Sequence, residues 1–514
     1  MIEVSRRKDE GQDMQQNGVP HMRFFLYWKN TKRILKTSKR ASVGSPNRVM
    51  LRPASRTSHC LNALIVGVLT SVLPSAHAFD SDALKVGLAQ IDIGSAERLP
   101  MGGYGSYFLR RPRLNSSGLH DPLFASALVF ESAVGQRAAL VVLDAVGLSG
   151  TQIARIESAV RRTVDPQMNV IVSATHTHQS PDTLGLWGSL PRSGRNKSYG
   201  SLIEAAAVQA VADAFAHRQS AFVTQRQGRH ANSTSQLTQP FAVQDSFVSL
   251  FFYSQQNSHL IGTFTQWSAH PTVIGMKNNA LSSDFISGFR RSLELSTEQV
   301  PHIYVNGIIG NVYPVVPRLG DPSMISDLFP EGQRDPDVSF DYDAASTVGF
   351  RLAQSVLNAP ESKLDAQPET LNACHVAVQF PVGNPLFRLA SGLRVIETRI
   401  RRGHVGSRVS AITLGRLVFA SIPGEVFPNV IHRLSHDVWA GRQPVWMGLG
   451  QDWLGYIVDP DDYAKPEFKY WKGLAIHKDG AKVFLEGLSK ALKNQGCQRG
   501  DPFQTFDSVH PMLE

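Results

Sequence analysis

Apolar residues in this chain fall into short dense runs, separated by stretches where they recur at helical spacing. The runs Leu84–Ile91, Ala138–Leu143, Asn169–Ala174, Phe247–Tyr253, Ile261–Ala269, Pro301–Ile308 and Ala411–Ala420 read as buried strands. Between them, Thr151–Thr163, Leu202–His217, Ser283–Ser296, Ala344–Asn358 and Asn429–Val438 carry helical patterns, and Asp479–Asn494 reads as a final amphipathic helix. Such alternation predicts an α/β protein built on a large mixed sheet. The stretch Lys363–Val409 is more β-rich and irregular, as an insertion or a lobe boundary would be. Residues 312–342, rich in Pro, Gly and Asp, read as a long loop of the kind that covers sites. No internal repeat or long low-complexity linker breaks the pattern.

One apolar run does not belong to the fold. Leu61–Leu73 is followed by Pro74-Ser75-Ala76-His77-Ala78 and preceded by Arg52 and Arg56, the layout of a secretory signal peptide cut after Ala78. A membrane-spanning helix needs roughly 20 apolar residues, more than this run offers, so an uncleaved anchor is the weaker reading. Met50 would give the signal ordinary proportions and is the expected true start. Residues 1–78 are therefore a leader, and 79–514 the mature domain, periplasmic or secreted.

The leader also accounts for the charge. The 514 residues carry a formal net charge of +9, but thirteen Lys/Arg against four Asp/Glu lie before Phe79. The mature part holds 39 of each sign, with no basic excess of the sort a nucleic-acid footprint leaves. Of three cysteines, Cys60 leaves with the leader. Cys374 and Cys497 remain, and in an exported chain they suggest one disulfide, the alternative being two unrelated buried thiols.

The candidate chemistry lies where apolar runs end. Ser173-Ala174-Thr175-His176-Thr177-His178 follows a strand, and residues two apart on an extended chain point the same way, so both imidazoles can share one site. Imidazole is a zinc ligand, and a second imidazole beside it suits proton transfer near neutral pH. His270, in Trp267-Ser268-Ala269-His270-Pro271, and Glu425, in Pro423-Gly424-Glu425, hold equivalent places at strand ends. Two His and one Glu with an open position form a hydrolytic zinc set, which brings bound water towards a pKa of ~7. Singly, His270 before a proline reads more readily as a structural histidine, and Glu425 after Pro-Gly as a helix-start charge. Asp284 reads as a helix cap or as a support for a ligand histidine, and His120-Asp121-Pro122 as a turn or a site wall.

Taken together, Met101-Gly102-Gly103-Tyr104-Gly105, Gly118-Leu119-His120-Asp121-Pro122, the Thr175–His178 segment, Trp267–Thr272, Pro423-Gly424-Glu425 and Gly455-Tyr456 resemble the neutral/alkaline (non-lysosomal) ceramidase family, in the family's order and across about Asp80 to Leu492. The resemblance implies a large mixed-sheet α/β sandwich like that family's catalytic domain, without its C-terminal immunoglobulin-like domain. It also implies zinc held by His176, His270, Glu425 and Tyr456, with His178 handling protons and Tyr470 helping to hold the substrate carbonyl oxygen. In family terms, zinc-activated water cleaves the amide of ceramide, releasing a fatty acid and sphingosine.

Three departures fall on the substrate side. Where the family carries Gly-Asp-Val-Ser-Pro, this chain has Gly310-Asn311-Val312-Tyr313-Pro314, so Asn311 and Tyr313 stand in the substrate-binding place. An arginine expected after an asparagine is replaced by Ser233, and the chain ends soon after the catalytic region. The resulting expectation is an exported zinc amidohydrolase acting on an N-acyl sphingoid base or related N-acyl lipid, with transient contact to a membrane surface. Its rivals are a zinc esterase or amidase for a smaller substrate, with Tyr313 shortening the pocket, and a silent metal-containing binding protein. Mn or Fe would accept the same ligands.

Overall fold

A computed structural model describes residues 83–105, 115–189, 192–236, 245–316, 336–364 and 371–498; the leader lies outside them. The described residues form one compact unit. Its first half builds a nine-stranded mixed sheet. The strands are β1 (Lys85–Asp92), β2 (Phe124–Glu131), β3 (Arg137–Leu143), β4 (Asn169–Ala174), β5 (Gln219–Arg229), β7 (Ser246–Ser254), β8 (Leu260–Trp267) and β9 (His302–Asn306), in the order β4-β3-β2-β1-β5-β7-β8-β9, and β11 (Glu361–Lys363) is added on β5. Short β6 (Thr234–Gln236) and β10 (Val312–Pro314) pair with each other. The second half supplies a four-stranded sheet, β12-β13-β14-β16, from Leu371–Pro381, His404–Leu414, Leu417–Ile422 and Gln443–Gly448. Last, β15 (Glu425–Val426) pairs with β17 (Tyr456–Ile457).

Strand alternation explains why the two sheets stack. On β3, Ala138, Leu140 and Val142 point into one apolar layer and Ala139, Val141 and Leu143 into another. The first layer is closed from the far side by Ile412, Leu414, Leu417, Phe419, Val445 and Met447 of the second sheet, giving the sandwich. The other face is covered by α1 (Gly150–Thr163) and α2 (Lys197–Ala216), and the β7–β9 end by α3 (Phe285–Ser296) and α4 (Pro336–Asn358). Alanines set the close approach of α2: a Cβ on Gly87 of β1 would lie 1.9 Å from the Ala214 carbonyl oxygen. Short helices α5 (Pro385–Gly392), α6 (Pro428–His432), α7 (Pro460–Tyr463) and α8 (Lys469–Leu474) precede α9 (Gly480–Leu492), which packs on the second sheet. Among the described residues no helix is long and apolar enough to cross a membrane.

The sandwich expected from the sequence is present, with local corrections. Ala411–Ala420 is a hairpin rather than one strand, because Gly415 (φ 57°) turns the chain between Leu414 and Leu417. Asn429–Val438 is broken after His432 into α6 and a separate 3-10 turn at His436–Val438. The β-rich character of Lys363–Val409 comes from β12 and the start of β13, which pair along their whole length with α5 between them. The loop predicted over 312–342 gives way to helix α4 from Pro336, and its middle lies outside the described residues. Cys374 on β12 and Cys497 beyond α9 form a disulfide, with Cα atoms 4.8 Å apart.

Candidate metal centre

Three parallel strand pairs, β3–β4, β8–β9 and β14–β16, end on one side of the molecule, and the candidate residues lie just past those ends. Ligands in α/β sheets collect at such carboxyl ends. The ends are tied across the sheets: the Asn306 amide donates to the Thr175 carbonyl, Ser173 to the Gly448 carbonyl, and the Gln451 N–H to the Val172 carbonyl at 2.8 Å.

The strand bearing the paired histidines stops at Ala174, and His176 sits at φ 66°, a left-handed conformation rare for residues with a Cβ. The two imidazoles thus meet through a tight turn, not through the extended backbone that their spacing suggested. Backbone bonds enforce the turn, from His176 N to the Ala145 carbonyl (2.9 Å) and from His178 N to the Pro271 carbonyl (3.2 Å). Gly103 (φ 94°) leaves room for the second ring: a Cβ there would lie 2.3 Å from His178 Cγ. Tyr104 then packs edge-on against His178 with centroids 4.7 Å apart, its hydroxyl held by the Thr272 carbonyl at 2.8 Å.

The same logic positions the other donors. His176 donates from Nδ1 to the Val146 carbonyl (2.5 Å) and His270 from Nδ1 to the Val312 carbonyl (2.9 Å). Each bond occupies Nδ1 and turns Nε2 inward, towards Glu425. Glu425 emerges after a glycine because a Cβ on Gly424 would lie 2.5 Å from the Gly455 carbonyl oxygen. Pairing of β15 with β17 sets Glu425 directly beside Tyr456.

The result is a buried focus of donors. Glu425 Oε2 lies 3.1 Å from His270 Nε2 and 3.4 Å from His176 Nε2, and His178 Nε2 lies 3.2 Å from His176 Nε2. One ligand atom from each of His176, His178 and His270 falls within 4.8 Å of the others. Burial pushes the Glu425 carboxyl up, yet the charges and hydrogen bonds of His176 and His270 outweigh it and hold the group well below the usual carboxylate range. Burial likewise works against a charged His176, but Glu425 and the Val146 carbonyl keep its imidazole above the ordinary value. Buried Tyr456 goes up strongly, first through burial and then through the Glu425 charge, so its phenol keeps its proton. Inward-facing imidazole nitrogens beside a carboxylate are the donor set a zinc-sized borderline cation takes. The residues fit such an ion.

No protein-family model matches the sequence, and no curated protein matches it either. The fold does have solved counterparts. A crystal structure of neutral ceramidase from Pseudomonas aeruginosa aligns with a TM-score of 0.65, covering 81% of this chain and 76% of that one at 17% sequence identity. The fold is neutral-ceramidase-like. A ceramidase complexed with C2 matches with a TM-score of 0.64, the same coverage and 16% identity.

On this ceramidase-like fold the remaining candidates fall at different distances from the donors. Tyr313 stacks on His270, with centroids 4.7 Å apart and planes 19° from parallel, and its phenol, facing Tyr456 and Trp471, is pushed up by burial and then by Glu425. Asn311 is buried at φ 63° in the turn before β10. Tyr313 pairs across the sheet with Ser235, and the Ser233 carbonyl, just before β6, accepts from Val315 N at 2.7 Å, so two of the departures from the family pattern lie close together. Tyr470 is 53% exposed, its ring 6.4 Å from that of Tyr456.

Asp284 caps α3 and also accepts from Val273 N (3.2 Å) and Ile274 N (3.0 Å), which supports the loop after His270 rather than a ligand ring. His120 pairs with Asp121 (3.0 Å) and stacks on Tyr342. Sequence reasoning missed Trp453, whose indole N–H donates to Glu425 Oε1 at 3.1 Å and leaves Oε2 for the histidines. It also missed the Val146 and Val312 carbonyls. The indole had a visible sign, its place two residues before Gly455-Tyr456; the carbonyls had none.

Proposed function

We propose that this protein is an exported, zinc-dependent amidohydrolase that cleaves the amide of an N-acyl sphingoid base or a related N-acyl lipid. The observation that carries the reading is the convergence of His176, His270 and Glu425, with His178 and Tyr456 beside them, at the carboxyl edge of a neutral-ceramidase-like sandwich. His176, His270, Glu425 and Tyr456 would hold the ion. Bound there, zinc supplies Lewis-acid polarisation of the amide carbonyl and acidification of water.

The chain's own groups divide the remaining work. His178, half-buried and within 3.2 Å of His176 Nε2, takes a proton from the attacking water and delivers it to the leaving nitrogen as the C–N bond breaks and the C–O bond forms. In this reading the Tyr470 phenol, which is exposed, donates to the carbonyl oxygen as that oxygen gains charge. Tyr313 on His270 favours a second reading, a smaller amide or ester, because its ring occupies space above a ligand. Export is inferred from the leader, 1–78, and transient membrane-surface contact from the lipid substrate.

The test is a substrate panel on protein beginning at Phe79. A fluorescent N-acyl sphingosine, a short N-acyl amide and an ester are compared with and without chelator. Chelator-sensitive cleavage of the N-acyl sphingosine is expected. Cleavage of the short substrates alone would move the assignment to the second reading, and a metal-loaded chain inert on all three would leave a binding protein.

A further inference from the structure

Away from the metal centre, guanidinium groups gather around two adjoining hollows. One, about 650 Å³, opens between α1, α2 and residues 398–406, with Ala154, Ala159, Ala205, Val208 and Val405 on its walls and Arg162 at its edge. The other, about 880 Å³, shares Arg155, Arg399 and Arg401 with it and adds Arg195, Arg388 and Arg394. The acids nearby are already engaged. Arg155 holds Glu204 at 2.6 Å and Glu397 at 3.0 Å, Arg195 also binds Glu397, and Asp452 Oδ1 accepts from Gly150 N at 2.7 Å. Arg162, Arg388, Arg394 and Arg399 are exposed and have no acidic partner among the described residues. A cluster of like charge opposes the compact state, and one focused beside a concave apolar wall raises the local concentration of anions.

We propose that these hollows bind an acyl chain ending in a carboxylate, its head among the arginines and its chain along the apolar wall of the first hollow. The planar guanidinium fork matches a carboxylate bidentately, and the first hollow has the size of a small-ligand pocket. His176, His178, His270 and Glu425 line neither hollow, so the site is separate from the reaction centre and stands whether or not the proposed hydrolysis does.

Equilibrium dialysis of the intact chain tests it, with laurate, octanoate, methyl laurate, inorganic phosphate and phosphatidylglycerol vesicles as probes. Laurate is expected to saturate one site and to bind more tightly than octanoate by roughly fourfold per added methylene. Paired Arg162→Gln and Arg399→Gln should weaken it at least about tenfold, and Ala205→Trp, on an exposed position of α2, should weaken it independently. Chelation of metal should leave binding unchanged. Equal binding in both variants, loss of binding on chelation, phosphate bound as tightly as laurate, or binding to vesicles alone would each overturn the proposal.

Discussion

At the residue scale, the candidate centre is held in place by groups outside its donor set. Trp453 holds Glu425 Oε1, and Phe387 of α5 packs against that indole with centroids 6.0 Å apart. Trp453→Phe keeps the ring and deletes the donor, so metal affinity should fall about 10–100-fold; a titration showing unchanged affinity would remove the indole from the account. Another buried group reports on acid stability. Burial, then the charges of Arg408 and Arg161, depress His375 to about 3, while its Nδ1 bonds Ser410 at 2.8 Å. The unfolded imidazole titrates near ~6.5, so the folded state binds fewer protons below that value, and stability present above it is lost as pH falls towards 3. His375→Gln should flatten the dependence of unfolding free energy on pH between those values by up to about 1.4 kcal/mol per pH unit. An unaltered slope would contradict this. Which residues converge was legible because His176, His178, His270 and Glu425 each stand in a short motif. How His176 and Glu425 meet was not, since the left-handed turn at His176 is held by the Ala145 and Pro271 carbonyls, from segments beyond the ends of β3 and β8.

At the element scale, strands buried on both faces announced themselves as dense apolar runs, and β4 was read to its ends. Strands with exposed or polar positions did not. The eleven residues of β5, Gln219–Arg229, are mostly polar, bury Thr224 and Gln225 beside Val223, and have neighbours on both sides that only the fold supplies. The hairpin of β13 and β14 was hidden because Gly415-Arg416 is a two-residue break inside one apolar run. At the C-terminal end, the disulfide ties β12 to the segment after α9, closing a loop of sequence separation 123. Replacing Cys374 and Cys497 by alanine together should lower stability by about 2–5 kcal/mol. Urea unfolding with an unmoved midpoint would show that α9 is held by its apolar face alone.

At the scale of the whole molecule, two sheets are joined so that donors from chain positions 176 to 456 meet at one edge, which no spacing rule in the sequence could reveal. The sandwich is the frame, and the parallel strand pairs aim their ends at a common point. The central claim is that this point is a metal centre whose hydrolysis runs through His178 while the ion is held mainly by its neighbours. The most direct test measures bound zinc and turnover of N-acyl sphingosine on the same preparations of wild type, His178→Ala and Glu425→Gln. The account predicts about one zinc per wild-type chain, a His178→Ala protein that keeps its zinc but loses at least about 100-fold in turnover, and a Glu425→Gln protein that loses both. Turnover that survives in His178→Ala, or zinc retained undiminished in Glu425→Gln, would contradict it.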